Sequence, residues 1–239
     1  MGSSVPAQGP ERGYVLHSYS WRETSLIVEM WLPNYGRIPM VAKGVRRPRS
    51  LYRGLLQPFQ PLLVDWLGRG ELKILKSVEW LPHQMRMRGL SIFCGFYLNE
   101  LLWRLLQRED PHPHLFAHYE KALEDLAMGK ESNELILRRF ELVLVRELGY
   151  ALNFESNLLS DREIKSEDSY VFVPEQGFCL AHGLGQRYHG SVLLALLRGD
   201  FSESQTLLQS KGLMRTVLNH LLGSTELNSR RVLQELSVL

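Results

Sequence analysis

Hydrophobic residues recur at every second position through much of the first 80 residues, which is the spacing of β-strands with one buried face. The β-like region begins at about residue 13, and the alternation is strongest at 25–32, 37–43, 62–66 and 71–79. Turn-forming residues at 33–36 and 68–70 separate these runs. Five short strands in so few residues predict a closed or nearly closed barrel, for which the OB-fold is the leading candidate.

A proline interrupts one of these runs. Pro39 lies inside the strand predicted at 37–43. Because proline has no backbone N–H to donate to a sheet, we expect this strand to lie at an edge or to bulge at that position.

From about residue 90 the apolar spacing changes to three and four, which indicates helices with a buried stripe. The patterns predict helices at 90–105, 114–128, 135–148, 185–198, 202–222 and 225–236. Ser132 or Asn133 can cap the third of them. The sequence therefore predicts an α+β protein. Its parts are a disordered tail at 1–10, an OB-fold barrel at 11–82, and an all-helical domain at 83–239 with an irregular insertion at about 151–183.

Charge is distributed unevenly along the chain. Residues 1–82 carry 11 Lys and Arg against 6 Asp and Glu, whereas residues 83–239 carry 17 against 20. No acidic residue occurs between Glu29 and Asp65. That acid-free stretch holds six basic residues and two tyrosines of interest: Arg37, Lys43, Arg46, Arg47, Arg49, Arg53, Tyr35 and Tyr52.

A basic stretch with interleaved aromatic residues is typical of a surface that binds a polyanion. Lys and Arg neutralise phosphates, and aromatic rings offer faces on which bases stack. We therefore predict that the six basic residues contact nucleic acid and that Tyr35 or Tyr52 stacks on bases. The alternative is a solvated basic loop with the tyrosines as plugs of the barrel. Arg22 and Arg69 are weaker candidates, because each has an acidic or turn-forming neighbour that explains its presence without a contact to nucleic acid.

The sequence lacks the motifs of several other classes. It contains no Walker A, G-x-S-x-G or H-E-x-x-H pattern, so no enzyme activity is predicted. His114 and His118 are four residues apart without a nearby third ligand, and Cys179-x-x-His182 is half of a zinc pattern, so no metal or other cofactor is expected. Two distant cysteines fit a reducing compartment. With no signal-peptide pattern and no run of about 18 apolar residues, we expect a cytoplasmic protein without a membrane span.

Several segments, taken together and in order, resemble the bacterial recombination mediator family RecO. They are VLHSYSWRETSLIVEM, YGRIPMVAKGVRR, LLQPFQPLLV, GFYLNELLWRLL, LRRFELVLVRELGY and LLGSTELNSRRVLQEL. The resemblance covers nearly the whole chain and implies an N-terminal OB-fold followed by a helical domain. It also implies a non-enzymatic protein of the bacterial cytoplasm and nucleoid. Such a protein binds single- and double-stranded DNA and anneals complementary strands. It helps RecA replace single-stranded-DNA-binding protein, with RecR and RecF as further partners.

The chain departs from the family pattern in two places. Some members hold zinc with two cysteine pairs in the irregular segment, but only Cys179 is present here, so zinc is not expected. A second basic residue is common in the strand at 37–43, where this chain has Pro39.

The resemblance also implies a partner site on the helix predicted at 135–148. We expect Leu137 and Phe140 to offer an apolar groove, and Arg138, with Arg139 as second choice, to bind the carboxylate of the C-terminal tail of single-stranded-DNA-binding protein. The alternative is that both arginines form surface ion pairs, with Glu134 or Glu141 as partners.

Two other functions remain open at this stage. One is a protein adaptor whose basic face binds acidic segments of partners. The other is an RNA-binding OB-fold module, which the 2′-hydroxyl of RNA would distinguish from a DNA-binding protein.

Overall fold

A computed structural model describes residues 9–82, 85–150, 163–174, 176–181 and 185–236. The first five strands close into a barrel in the order β1-β2-β3-β5-β4. Their bounds are Glu11–Trp21 (β1), Ser25–Leu32 (β2), Gly36–Ala42 (β3), Leu62–Leu67 (β4) and Lys73–Trp80 (β5). The predicted five-stranded, OB-like barrel is confirmed.

Alternate residues of the strands fill the barrel. Val28, Met30, Met40 and Val64 are buried in its core, to which β1 and β5 also contribute residues. β2, however, is buried on both faces, and Trp31 on its outer face is fully inaccessible to solvent. The alternation of buried and exposed residues is therefore weaker in β2 than in a strand with one face in solvent.

Pro39 lies neither on an edge strand nor at a bulge, contrary to the prediction. β3 pairs with β2 in continuous register, with Pro39 opposite Glu29. On its other side β3 pairs with β5 only at Met40 and Val41. The proline precedes that short pairing, so its missing N–H removes no hydrogen bond to β5.

Three helices belong to the same compact unit as the barrel, which comprises the chain up to Met128 and from Leu227 onward. They are Leu90–Leu105 (α1), Pro113–Met128 (α2) and Asn228–Leu236 (α6). β5 ends at Trp80 and α1 begins at Leu90, and the compact unit that contains the barrel extends over both.

A buried polar network ties α1 and α2 to β1. A bulge between Val15 and His17 interrupts the pairing of β1 with β2. The Asn99 side chain of α1 donates to the carbonyls of Val15 and Leu16, at 3.0 and 3.2 Å, and accepts from the Tyr119 hydroxyl of α2 at 2.6 Å. The network therefore joins both helices to the carbonyls of β1 at its bulge.

A second link joins the outer face of the barrel to the segment after α1. The Glu29 carboxylate, only 2% exposed, accepts from Arg37 at 2.7 Å and from Arg108 at 2.9 Å. Arg37 also donates to the Leu106 carbonyl at 3.1 Å. At the start of β3, Gly36 has φ +70° and lies so close to Asp110 that a Cβ there would overlap the Asp110 backbone. This segment is therefore packed against β2 and β3.

The other compact unit spans Gly129–Glu226 and combines helices with a small sheet. Its helices are Asn133–Glu147 (α3), Gly190–Arg198 (α4) and Ser204–Leu222 (α5), and the Ser132 side chain caps α3 as predicted. Its strands are Ser169–Val173 (β6), Gly177–Leu180 (β7) and Arg187–His189 (β8), in the order β7-β6-β8.

The small sheet was not predicted. β6 and β7 lie in the segment expected to be irregular, and β8 replaces the first turn of the helix expected at 185–198. Each strand has three to five residues, which is too short for a period of two to stand out. The barrel and the six helices within the described ranges nevertheless confirm the α+β class. Among the described residues, no helix is long and apolar enough to cross a membrane.

The loop at 43–61, which joins β3 to β4, is packed onto the barrel. Val45 and Leu56 are buried in the barrel core. A series of backbone hydrogen bonds forms consecutive turns, among them Arg47 N to Gly44 O and Arg53 N to Ser50 O. The loop is therefore anchored by its apolar residues, while its charged residues remain on the surface.

We expect Glu29→Gln to lower the free energy of unfolding by roughly 3 kcal/mol, because removing one partner leaves a poorly solvated guanidinium without its charge partner. Urea denaturation measures the change. Glu79→Gln is the matched control on β5, since the Glu79 side chain is exposed and forms no ion pair with a described residue, and it should change stability by about 0.5 kcal/mol or less. Equal effects of the two substitutions would contradict the assignment of Glu29 as a structural link.

Leu56→Ala should destabilise the protein by about 2–4 kcal/mol, since it removes a side chain that fills the barrel core. Arg53→Ala, three residues earlier on the exposed side of the same loop, should be close to neutral in the same denaturation experiment. A neutral Leu56→Ala would mean that the loop is not packed on the barrel.

Candidate nucleic-acid interface

An open groove of about 840 Å³ lies on the barrel beside the basic loop. Three parts of the chain line it: the β1–β2 turn, the beginning of the loop after β3, and the residues at the start of β5. Its charged and large apolar lining residues include Trp21, Arg22, Glu23, Lys43, Arg47 and Ile74. The backbone N–H of Arg46 donates to the Thr24 carbonyl at 2.9 Å, which holds the loop against the β1–β2 turn.

Five of the predicted basic residues lie together on the surface of this loop. Each side chain is exposed, and none forms an ion pair with a carboxylate of the described residues: Lys43, Arg46, Arg47, Arg49 and Arg53. Because no acid neutralises them within that part of the chain, their combined positive potential is available to an anion in solution.

Arg37, the sixth predicted base, has a different environment. Its side chain is only 13% exposed, and its guanidinium is bound to the Glu29 carboxylate and the Leu106 carbonyl. It does not line the groove. A phosphate contact would have to displace a buried carboxylate, so we leave Arg37 out of the interface proposed below.

The two predicted tyrosines are half-buried and pack against the barrel core. The Tyr35 ring meets Trp66 edge-on, with centroids 5.1 Å apart. The Tyr52 hydroxyl donates to the Lys76 carbonyl at 3.1 Å. These positions match the alternative interpretation, in which the tyrosines plug the barrel.

The weaker candidates Arg22 and Arg69 differ in their position relative to the groove. Arg22 lines the groove from the β1–β2 turn, where its φ is +52°. Arg69 lies in the β4–β5 connection and does not line the groove.

Sequence reasoning missed the exposed apolar residues of the groove, which are Trp21, Leu72 and Ile74. The alternation of Tyr19 and Trp21 along β1 was the available signal.

The predicted partner site on α3 is also arranged differently from expectation. Arg138 is buried, and its guanidinium lies 2.6 Å from the Glu141 carboxylate, which is inaccessible to solvent. Arg139 is the exposed arginine and pairs with Glu131 at 2.6 Å. The apolar members of the predicted site are both buried, Leu137 and Phe140. Glu134, an expected alternative partner, instead pairs with Lys211.

The candidate metal ligands do not assemble into a site within the described part of the chain. The His114 and His118 ring centroids are 4.4 Å apart, and His118 Nδ1 lies 3.0 Å from the His114 carbonyl oxygen. Cys179 is half-buried on β7, and His182 lies outside the described residues. No group of three or more His, Cys, Asp or Glu in the ranges described could hold a metal ion.

Comparison with known proteins adds an independent line of evidence. The family "Recombination protein O N terminal" matches residues 10–83, and "Recombination protein O C terminal" matches residues 88–231. A DNA repair protein RecO from Aromatoleum aromaticum is 48% identical over 229 residues, covering 95% of both chains. Proteins of the same name from Azoarcus sp. (strain BH72) and Nitrosospira multiformis are 44% and 45% identical, covering 95% and 97% of both chains. The barrel, the helices and these matches together establish that the chain belongs to the RecO family of DNA repair proteins.

Proposed function

We propose that the chain is a non-enzymatic recombination mediator that binds DNA through its basic loop and the adjoining groove. In this proposal it binds single- and double-stranded DNA and anneals complementary strands in the bacterial cytoplasm, at the nucleoid. It also helps load RecA onto DNA covered by single-stranded-DNA-binding protein, together with RecR and in functional connection with RecF. The observation that carries the proposal is the group of five exposed cations on one anchored loop, which pair with no acid in the described ranges.

Electrostatics accounts for the expected mode of binding. Lys and Arg that neutralise phosphates release condensed counterions, so affinity depends on salt and not on base sequence. A loop of consecutive turns carries these cations, whereas a sequence-reading protein usually inserts a helix or β-ribbon into the major groove. We therefore infer contacts to the phosphate backbone.

The same charges offer a physical account of strand annealing. Two complementary strands repel each other through their phosphates before base pairs form. A dense group of cations lowers that repulsion for strands bound close together, and the effect weakens as salt screens the charges.

The two other functions make different predictions for isolated nucleic acid. An adaptor for acidic protein segments would not bind protein-free DNA with a steep salt dependence. An RNA-binding module would prefer RNA to DNA of the same sequence, because it would contact the 2′-hydroxyl.

We also propose that α3 binds the acidic C-terminal tail of single-stranded-DNA-binding protein, with Arg139 as the carboxylate ligand. Arg139 pairs with Glu131 on the surface, and exposed pairs of this kind contribute about 0–1 kcal/mol. A tail carboxylate can therefore replace Glu131 at low cost. Arg138 is a weaker choice, since its partner Glu141 is buried.

The double substitution Arg46→Glu and Arg47→Glu should weaken binding to labelled single-stranded DNA and slow annealing. If the loop neutralises about five phosphates, the logarithm of the wild-type association constant should fall by roughly 3–5 per decade of salt. Fluorescence anisotropy at several salt concentrations measures this slope, which should become shallower by about 2 in the variant. Stability should change little, since both side chains are exposed.

The matched control reverses two exposed arginines of the other compact unit, Arg198→Glu and Arg215→Glu. This control changes the net charge equally but should leave the salt slope unchanged. A flat salt response of the wild-type protein, or equal losses in both variants, would refute the assignment of DNA binding to the loop.

Arg139→Ala should lower the affinity for a synthetic tail peptide about 10- to 100-fold, the range for a hydrogen bond to a charged group. It should leave both thermal stability and DNA affinity unchanged. Arg138→Ala should instead lower the melting temperature, because it leaves a buried carboxylate without its guanidinium. Calorimetric titration with the peptide measures these affinities. A wild-type affinity of the Arg139 variant for the peptide would refute this assignment.

A further inference from the structure

Aromatic side chains form a row along the outer face of β1. After the bulge at Val15 and His17, residues of β1 alternate regularly, so that His17, Tyr19 and Trp21 share one face. Their partners in β2 are Glu29, Ile27 and Ser25, which lie on the same outer face of the barrel. Tyr19 and Trp21 are 41% and 39% exposed, large fractions for aromatic residues of a well-packed barrel.

The row continues onto α1. The Trp103 ring stacks on His17, with centroids 4.0 Å apart and planes inclined by 18°. The guanidinium of Arg104 lies over the Trp103 ring, 4.1 Å from its centroid. Burial, and then the charge of Arg104, lower the pKa of His17, so its imidazole is uncharged at neutral pH and contributes an aromatic surface.

Cations stand at both ends of the aromatic row. At one end Trp21 lines the groove together with Arg22, Lys43 and Arg47. At the other end is the exposed Arg104. Glu23 is the acid that lines the groove, whereas Glu29, beside His17 in the sheet, is already bound by two guanidiniums. Glu100, which lies near His17 and Trp103, accepts from the Ser229 hydroxyl at 2.6 Å.

This arrangement suits a strand whose bases are unpaired. A non-specific single-strand site combines a positively charged groove, which follows the backbone, with aromatic faces on which successive bases stack. A duplex hides its base faces inside the helix and can use only the cations. An apolar protein segment would bury the rings but would leave the surrounding cations without partners.

We propose that the row of His17, Tyr19, Trp21 and Trp103, the aromatic track, leads a single strand of nucleic acid from the basic groove onto α1. The exposed rings of Tyr19 and Trp21 stack on its bases, whereas Trp103 is already covered by His17 and Arg104. This inference rests on the function proposed above and deepens it. It assigns the loop to phosphates and the track to bases, so the two can be tested separately.

A pair of ligands with the same charge tests the track without altering the protein. One is a labelled oligonucleotide of twelve thymidines, and the other is the same sugar-phosphate backbone with abasic sites in place of the bases. Each stacked base contributes roughly 5- to 150-fold in affinity, so the wild-type protein should bind the thymidine strand at least about fivefold more tightly.

The double variant Tyr19→Leu and Trp21→Leu removes the two most exposed rings but keeps apolar side chains in their place. It should bind the two ligands with nearly equal affinity, because its affinity for the thymidine strand should fall further than its affinity for the abasic strand. The control Tyr150→Ala removes a 45% exposed ring from the other compact unit and should keep the wild-type preference for bases.

Three outcomes separate the two proposals. If the wild-type protein binds neither ligand, the proposed DNA-binding function fails. If it binds both equally, or if the folded double variant keeps the full preference for bases, only the aromatic track fails. The Arg46→Glu and Arg47→Glu variant should lower the affinity for both ligands by the same factor, because it alters phosphate contacts alone. If the double variant does not fold, the comparison of wild-type affinities for the thymidine and abasic strands still tests the aromatic track.

Discussion

Glu29 is the acidic residue on which the arrangement of the barrel unit depends. Its carboxylate lies on the outer face of β2, nearly inaccessible to solvent, between the guanidiniums of Arg37 and Arg108. A buried charge is tolerated only when it is paired and hydrogen-bonded, so both arginines must remain where they are. Arg108 follows α1, and the pair therefore fixes the end of that helix against β2 and β3. Together with Asn99, which binds the β1 carbonyls, it makes the barrel and its helices one unit.

This constraint divides the bases of the acid-free stretch into two groups. Arg37 comes first in sequence and is bound inward by Glu29. The bases from Lys43 onward follow the end of β3, where the chain leaves the barrel, and they meet no carboxylate of the described residues. Val45 and Leu56 hold the loop in place from below. An anchored loop keeps its charges together without pairing them, which favours an interface for a polyanion over a merely solvated loop.

Periodicity was sufficient to predict the barrel and the six helices, because these elements are long enough for a period of two or of three to four to emerge. Periodicity does not predict which residues pair when they are far apart in the sequence. Arg37 is bound by the Leu106 carbonyl, 69 residues away, and shares Glu29 with Arg108, which is 79 residues from Glu29, so the sequence could not show that the Arg37 guanidinium is enclosed. For Arg138, the buried partner Glu141 was named only as a surface alternative. Trp21 was overlooked because its exposure depends on where the barrel closes.

The most direct test of the account is to locate the DNA on the protein. A twelve-nucleotide strand containing 4-thiothymidine can be cross-linked by ultraviolet light, and the attached peptides identified by mass spectrometry. The account predicts cross-links within 17–25 and 43–53, which surround the groove, and at Trp103 on α1. Cross-links confined to Gly129–Glu226, with none in the barrel, would contradict the claim that the basic loop and its groove form the nucleic-acid interface.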